Sequence, residues 1–206
     1  GLTEVVSVLK MPIVWLISIV VLAAYSAYWG TYRFTSYSTD IFSLSVVVAG
    51  AISIGKMAMS PPSALIAGFI SDKIGIAKSV SILFVILILS FLIFAFMPGL
   101  PLLLPFMITN IAIASLAVFA LRGIYFALLE EGGVPMTVTG TATGFISMIG
   151  FTPDIFMPLI GGLLLDRLPT IEGYHAFFLI VAGICTLGLV AALMIYHIVS
   201  SSKKDK

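Results

Sequence analysis

The chain alternates between long apolar runs and short polar breaks, and the lengths of the runs set its architecture. Uncharged stretches such as Val80 to Met97 and Ala176 to Ile195 approach or reach the roughly 20 residues that cross a hydrocarbon core of about 30 Å. The runs are continuous, without the roughly ten-residue alternating segments of a membrane barrel, so the expected spans are helices. Six are predicted: Pro12–Arg33, Phe42–Ser71, Ala77–Met97, Leu102–Leu129, Thr137–Leu165 and Tyr174–Val199. Together they form one six-helix transmembrane domain over residues 1–206.

Turn chemistry separates these spans. Pro12 suits the first turn of a helix. Pro98, Gly99 and Pro101 make a tight turn, and Glu130-Glu131-Gly132-Gly133 breaks the fourth span. Pro61-Pro62 lies within the second span and predicts a kink there. An even number of spans puts both termini on one side, with Lys10, Lys73, Lys78, Lys203, Lys204 and Lys206. Only Arg33 and Arg167 fall on the other side, so the positive-inside bias places both termini in the cytoplasm.

Composition agrees with the pattern. Of 206 residues, 61% are hydrophobic and 9% charged, with a mean hydropathy of +1.23. A soluble domain of this size needs far more charge to cover its surface. The net charge of +1 gives no bulk attraction to nucleic acid. Cys185 is the only cysteine and cannot form an intrachain disulfide. The chain opens at Gly1 without a start methionine or a signal-peptide pattern, which reads as a piece of a longer protein.

An internal repeat adds topology. Gly68-Phe-Ile-Ser-Asp72-Lys73-Ile74 at the end of the second span returns 94 positions later as Gly162-Leu-Leu-Leu-Asp166-Arg167-Leu168. In each half the order is a span with an arginine, a span with an interior charge and prolines, and an uncharged span. Three spans per copy is odd, so the copies cross the membrane in opposite directions. The expected fold is all-α, two inverted three-helix repeats, an arrangement typical of secondary transporters.

Charges inside the spans mark the candidate site. Lys56 and Asp154 lie near the middles of spans two and five, where each costs on the order of 2.5–3.5 kcal/mol on an insertion scale. At helical spacing Lys56 shares a stripe with Ser45, Ala49, Ser53, Ser60, Ser63 and Ala67. Asp154 shares one with Gly140, Gly144, Ser147, Phe151, Pro158 and Gly161. Small and polar stripes face protein or a wet cavity. Two roles are open for the charges: a Lys56–Asp154 pair that fixes packing, or a transport pathway.

Arg122, deep in span four with Tyr125 beside it, and Arg33, near the outer end of span one, are further candidates. Either can also snorkel to a headgroup. Tyr25, Tyr28, Trp29 and Tyr32 form either an interfacial belt or, for Tyr25 and Tyr28, a cavity wall. Three cations facing one acid favour an anionic ligand, which arginine grips in a plane. Asp154 then serves as counter-ion or proton carrier.

The segment Gly68-Phe-Ile-Ser-Asp72-Lys73-Ile-Gly75-Ile-Ala-Lys78 resembles the loop motif of the major facilitator superfamily, Gly-x-x-x-Asp-Arg/Lys-x-Gly followed by a basic run. Here Gly68, Asp72, Lys73 and Gly75 match, while Ile76 and Ala77 thin the basic run. The segment from Arg122 to Glu131 and the Thr139-Gly-Thr-Ala-Thr-Gly144 entry to span five are similar to the tenth and eleventh helices of bacterial members. The resemblance implies the C-terminal six-helix half of such a transporter, in a bacterial inner membrane. Its first and fourth helices would line the cavity, its second and fifth face the other half, and its third and sixth face lipid. It also makes Gly68, Asp72, Lys73 and Gly75, with Asp166 and Arg167 in the second copy, a gating loop whose partner lies in an N-terminal half.

The expected activity is therefore alternating-access transport of a small polar anion, such as a carboxylate or a sugar or phosphate compound, with a proton or sodium ion as the open choice of coupling ion. The expected partners are that solute, the lipid bilayer and the other half. A six-helix channel and a self-associating six-helix module are the alternatives. An enzyme is not expected: His175 and His197 lie near span ends, and Asp154 is the only mid-span acid. No phosphate-loop, metal or dinucleotide pattern is present, so no cofactor is expected.

Overall fold

A computed structural model describes residues 1–205; Lys206, one of the lysines counted on the basic side, lies outside them. The described residues contain no strand. In order the helices are α1 (Leu2–Leu9), α2 (Pro12–Asp40), α3 (Val46–Ala58), α4 (Ser60–Ile74), α5 (Ile76–Phe96), α6 (Leu104–Ile124), α7 (Leu128–Glu131), α8 (Thr139–Gly150), α9 (Pro153–Arg167) and α10 (Thr170–Lys204). Five segments are long and apolar enough to cross a membrane: Pro12–Asp40, Ile76–Phe96, Pro101–Glu131, Met136–Arg167 and Thr170–Lys204. The chain is an all-helical membrane protein.

The segment expected as one kinked span over 42–71 is two helices. Helices α3, of 13 residues, and α4, of 15 residues, meet at Met59. At 1.5 Å per residue each rises only about 20 Å, too short to cross alone. Pro61 and Pro62 sit in the first turn of α4, where missing N–H groups cost no hydrogen bond. They start a new helix instead of bending an old one. Met59 keeps right-handed torsions (φ −72°, ψ −17°), so the chain is not turned back on itself. The fifth span is broken in the same way: α8 has 12 residues, α9 has 15, and Pro153 opens α9.

Helix α2 outruns its expected end at Arg33 and continues to Asp40. The polar tail that looked like a terminus satisfies itself against its own backbone. Ser36 Oγ donates to the Arg33 carbonyl, Ser38 Oγ to that of Phe34 and Thr39 Oγ1 to that of Ser36. Such back-bonding hides hydroxyls inside a helix. Tyr174 then donates to the Asp40 carboxylate at 2.6 Å, joining α10 to the end of α2.

The core lies where α2, α5 and α10 meet. Phe34, Phe91, Phe94 and Phe178 are fully buried, with ring centroids 4.8 Å apart for Phe34–Phe94 and 5.2 Å for Phe94–Phe178. Without a hydrophobic drive between helices in lipid, small residues and interhelical hydrogen bonds hold such a bundle. Gly188 of α10 is the close-approach point: a Cβ there would sit 2.5 Å from Ala23 Cβ and 2.6 Å from Phe84 Cζ. Between α5 and α6, Ser90 Oγ donates to Asn110 Oδ1 at 2.7 Å, and Asn110 Nδ2 returns a bond to the Ser90 carbonyl at 3.0 Å. This clasp is buried, and it ties α6 to α5.

Candidate functional site

Three helices build one polar chamber. Helix α2 brings Tyr28 and Tyr32, one turn apart, with their hydroxyls 2.9 Å from each other. Helix α3 brings Lys56 in its last turn, and α6 brings Arg122 in its last turn with Phe119 one turn before it. These residues line a cavity of about 190 Å³, which Ser53 and Ser60 also enter. The sequence stripe that predicted this is turned inward as expected: Ala49 and Lys56 are the buried residues of α3, and Ser63, Ala67 and Ser71 those of α4.

Lys56 is only 7% exposed, yet its ammonium meets no carboxylate. Its Nζ donates to the Thr31 carbonyl at 3.1 Å and to Thr31 Oγ1 at 3.4 Å, and lies 4.9 Å from the Tyr32 ring centroid. Arg122 packs its guanidinium 4.0 Å from the Tyr28 centroid and 5.8 Å from that of Tyr25. Its Nε is buried without a hydrogen-bond partner. Neither cation makes an ion pair among the described residues. Aromatic faces offset part of the cost of a desolvated cation, on the order of 2 kcal/mol each, less than the several kcal/mol that burying a charge costs. The chamber is left cationic.

Asp154 does not pair with Lys56. It sits in the first turn of α9, exposed, and accepts a hydrogen bond from Trp29 Nε1 at 2.8 Å. Of the stripe expected to face inward around it, Gly140, Gly144 and Phe151 are exposed with Asp154, and only Gly161 is buried. The other buried residues of α8 and α9 are Ala142, Ile146, Gly150, Pro153 and Met157. Helical spacing identifies the two faces of α8 and α9 but not which is turned inward, because both carry small residues.

Arg33 also stands apart. It does not line the chamber; its guanidinium lies against Gly161 of α9, with Nη2 2.6 Å from where a Cβ would be, and 5.8 Å from the Phe177 centroid. The chamber thus holds two of the three candidate cations. Tyr25 borders it through its stack on Tyr28 (5.6 Å) and also contacts the Phe151 ring at the α8–α9 break (4.9 Å). Tyr125 is buried against Phe126, 4.8 Å between centroids, and does not line the cavity.

The loop motif folds into a single-residue joint. Gly75 separates α4 from α5 at φ +93° and ψ +150°, a region open essentially to glycine alone. Beyond it, the Glu131 carboxylate accepts from the backbone N–H of Ile76 (2.5 Å) and of Ala77 (3.0 Å). An acid at a helix N-terminus satisfies orphan donors and favours the dipole. The sequence marked Glu131 only as part of a helix break, because nothing local links residues 131 and 76. Asp72, Lys73, Asp166 and Arg167 are exposed, and Gly68 has open space beside it.

No known family model matches the chain. Two curated relatives do, both from Escherichia coli (strain K12). One is inner membrane protein YihN, 30% identical over 98% of this chain and 49% of its own length. The other is inner membrane protein YqcE, 31% identical over 92% of this chain and 45% of its own length. The chain spans about half the length of the curated relatives it matches. With its apolar helices, this likeness identifies it as an inner membrane protein.

Proposed function

We propose that the chain is one six-helix half of a secondary transporter of the major facilitator type, and that the Lys56–Arg122 chamber binds a small organic anion during alternating access. The observation that carries this reading is a cavity lined by two cations and no carboxylate, in a bundle whose other buried side chains are uncharged among the described residues. An anion with one or two carboxylate or phosphate oxygens supplies what Arg122 Nε and the Lys56 ammonium lack.

The topology supports the same reading. Taking α3 with α4 as one broken span gives six, and α8 with α9 repeats the design, 12 or 13 residues followed by 15 with proline in the first turn. Broken helices at corresponding places in two halves are a recurring feature of carriers. The exposed apolar faces of α3, α4, α8 and α9 (Val46, Val47, Leu65, Phe69, Met148 and Ile155 among them) fit a second half in a protein about twice this length. Both termini on the cytoplasmic side, from the lysine distribution, complete the proposed topology.

The test is a thermal-shift screen of organic anions, sugars and amino acids on the full-length protein, since a ligand of the folded state stabilises it by mass action. A hit anion is then followed into reconstituted vesicles. Lys56→Ala and Arg122→Ala are expected to lose both the shift and saturable, counterflow-capable uptake while keeping helicity. Full uptake by both variants refutes the assignment of the chamber.

A further inference from the structure

We infer that a groove between α4 and α5 holds one acyl chain of an anionic phospholipid, with its headgroup at Lys73 and Lys78. The groove has a volume of about 390 Å³ and is separate from the cationic chamber. Its walls are Ile66 and Ile70 of α4 and Ile82 and Ile86 of α5, and its floor includes Ala117 and Ala120 of α6. Helices α4 and α5 diverge from the Gly75 joint, while each packs on α6. The small floor residues leave a trough where a third layer of side chains would otherwise sit.

Two features select the occupant. The first is length. Along α4 the groove runs from Ser63 to Ile74, about 17 Å at helical rise, close to one leaflet of a core about 30 Å thick. The second is charge. Lys78 precedes Ile82 and Ile86 at four-residue steps on α5, and Lys73 follows Ile66 and Ile70 at steps of four and three on α4. Both lysines therefore continue the groove-lining stripes to the end where the two helices join. Both are exposed, and neither makes an ion pair among the described residues. Of the nearby acids, Glu131 is taken up by the Ile76 and Ala77 amides, and Asp72 is exposed beside Lys73. An apolar trough one leaflet long with two ammonium groups at its mouth matches a phosphodiester headgroup carrying no compensating amine.

Native mass spectrometry of the full-length protein, delipidated and then titrated with phosphatidylglycerol or phosphatidylethanolamine, tests this. One tightly retained phosphatidylglycerol is expected, with a preference over phosphatidylethanolamine of about fivefold for each lysine. Lys73→Gln with Lys78→Gln should remove the preference, and Ala117→Leu should lower retention of both lipids. A phosphatidylglycerol carrying a diazirine on its acyl chain provides a readout independent of the variants. Its cross-links are expected on peptides containing Ile66, Ile70, Ile82 and Ile86. Equal retention of the two lipids by the wild type, or cross-links that avoid these helices, overturns the proposal.

Discussion

Removing the Glu131 carboxylate should loosen the joint at Gly75 and leave the rest of the bundle closed. In the structure this side chain accepts from two consecutive amides at the start of α5, Ile76 and Ala77, and no other side chain caps that end. Losing an N-terminal cap costs about 1 kcal/mol, within a range of roughly 0.5–2. The lost charge at the helix N-terminus adds about 0.3–1 kcal/mol. Glu131→Ala should therefore weaken local closure by about 2 kcal/mol, a roughly thirtyfold fall in amide protection. Glu131→Gln keeps one carbonyl acceptor without the charge and should lose about half as much.

Hydrogen exchange read by mass spectrometry separates this from general destabilisation, because local opening and global unfolding report on different amides. Peptides covering Ile76 to Val80 should exchange faster in Glu131→Ala, while those covering Phe91 to Phe96 should not change. Unchanged exchange in the first turn of α5 would show that the contact holds nothing. Equal acceleration in both peptides would show that Glu131 supports the whole fold and not the joint.

Two other substitutions test packing and the fate of the acid. Gly188→Ala places a methyl against Ala23 and Phe84 and should cost about 1–3 kcal/mol by overpacking, seen as a lowered unfolding midpoint in detergent. Gly183→Ala, with nothing within 4 Å, should be neutral or slightly stabilising because alanine is the better helix former, and an equal loss in both would refute the close-approach reading. Asp154→Ala frees the Trp29 indole N–H, so in a Trp15→Phe background the Trp29 emission should shift while the unfolding midpoint moves little. Unchanged emission would mean that the pair does not persist in solution.

The parts of this architecture that were legible in the sequence are those set by local rules. Apolar run length marked the membrane-crossing helices, and the small stripe around Lys56 marked the inward face of α3 and α4. The Gly-x-x-x-Asp-Lys-x-Gly pattern located the joint at Gly75, whose φ of +93° needs that residue type. What escaped depends on partners far apart in the chain. Trp29 lies 125 residues from Asp154, and Glu131 lies 55 from Ile76, so neither contact leaves a periodic trace. Helix breaks were half legible: prolines marked their places, but a proline pair reads equally as a kink or as a first turn. The extension of α2 was hidden because Ser36, Ser38 and Thr39 look like an exit to water until their hydroxyls are seen bonding to their own helix.

The asymmetry between the two broken spans bears most on what the chamber can do. Each carries one interior charge, and a strict copy of one on the other would have turned both inward. Two opposite charges at 4 Å attract by about 4 kcal/mol at an effective dielectric constant of 20, enough to close them into a pair and neutralise the cavity. Here α3 buries its charged stripe, while α8 and α9 bury Ala142, Ile146, Gly150 and Met157 and leave Asp154 on their exposed face, held by Trp29. The acid is kept off Lys56 by the choice of face and by an indole that occupies one of its oxygens. Lys56 and Arg122 are therefore left with carbonyl, hydroxyl and aromatic neighbours that can support a cation but not discharge it. On the proposed reading, an incoming anion meets two cations that are paired to no carboxylate among the described residues, so its binding energy is not spent on breaking an ion pair.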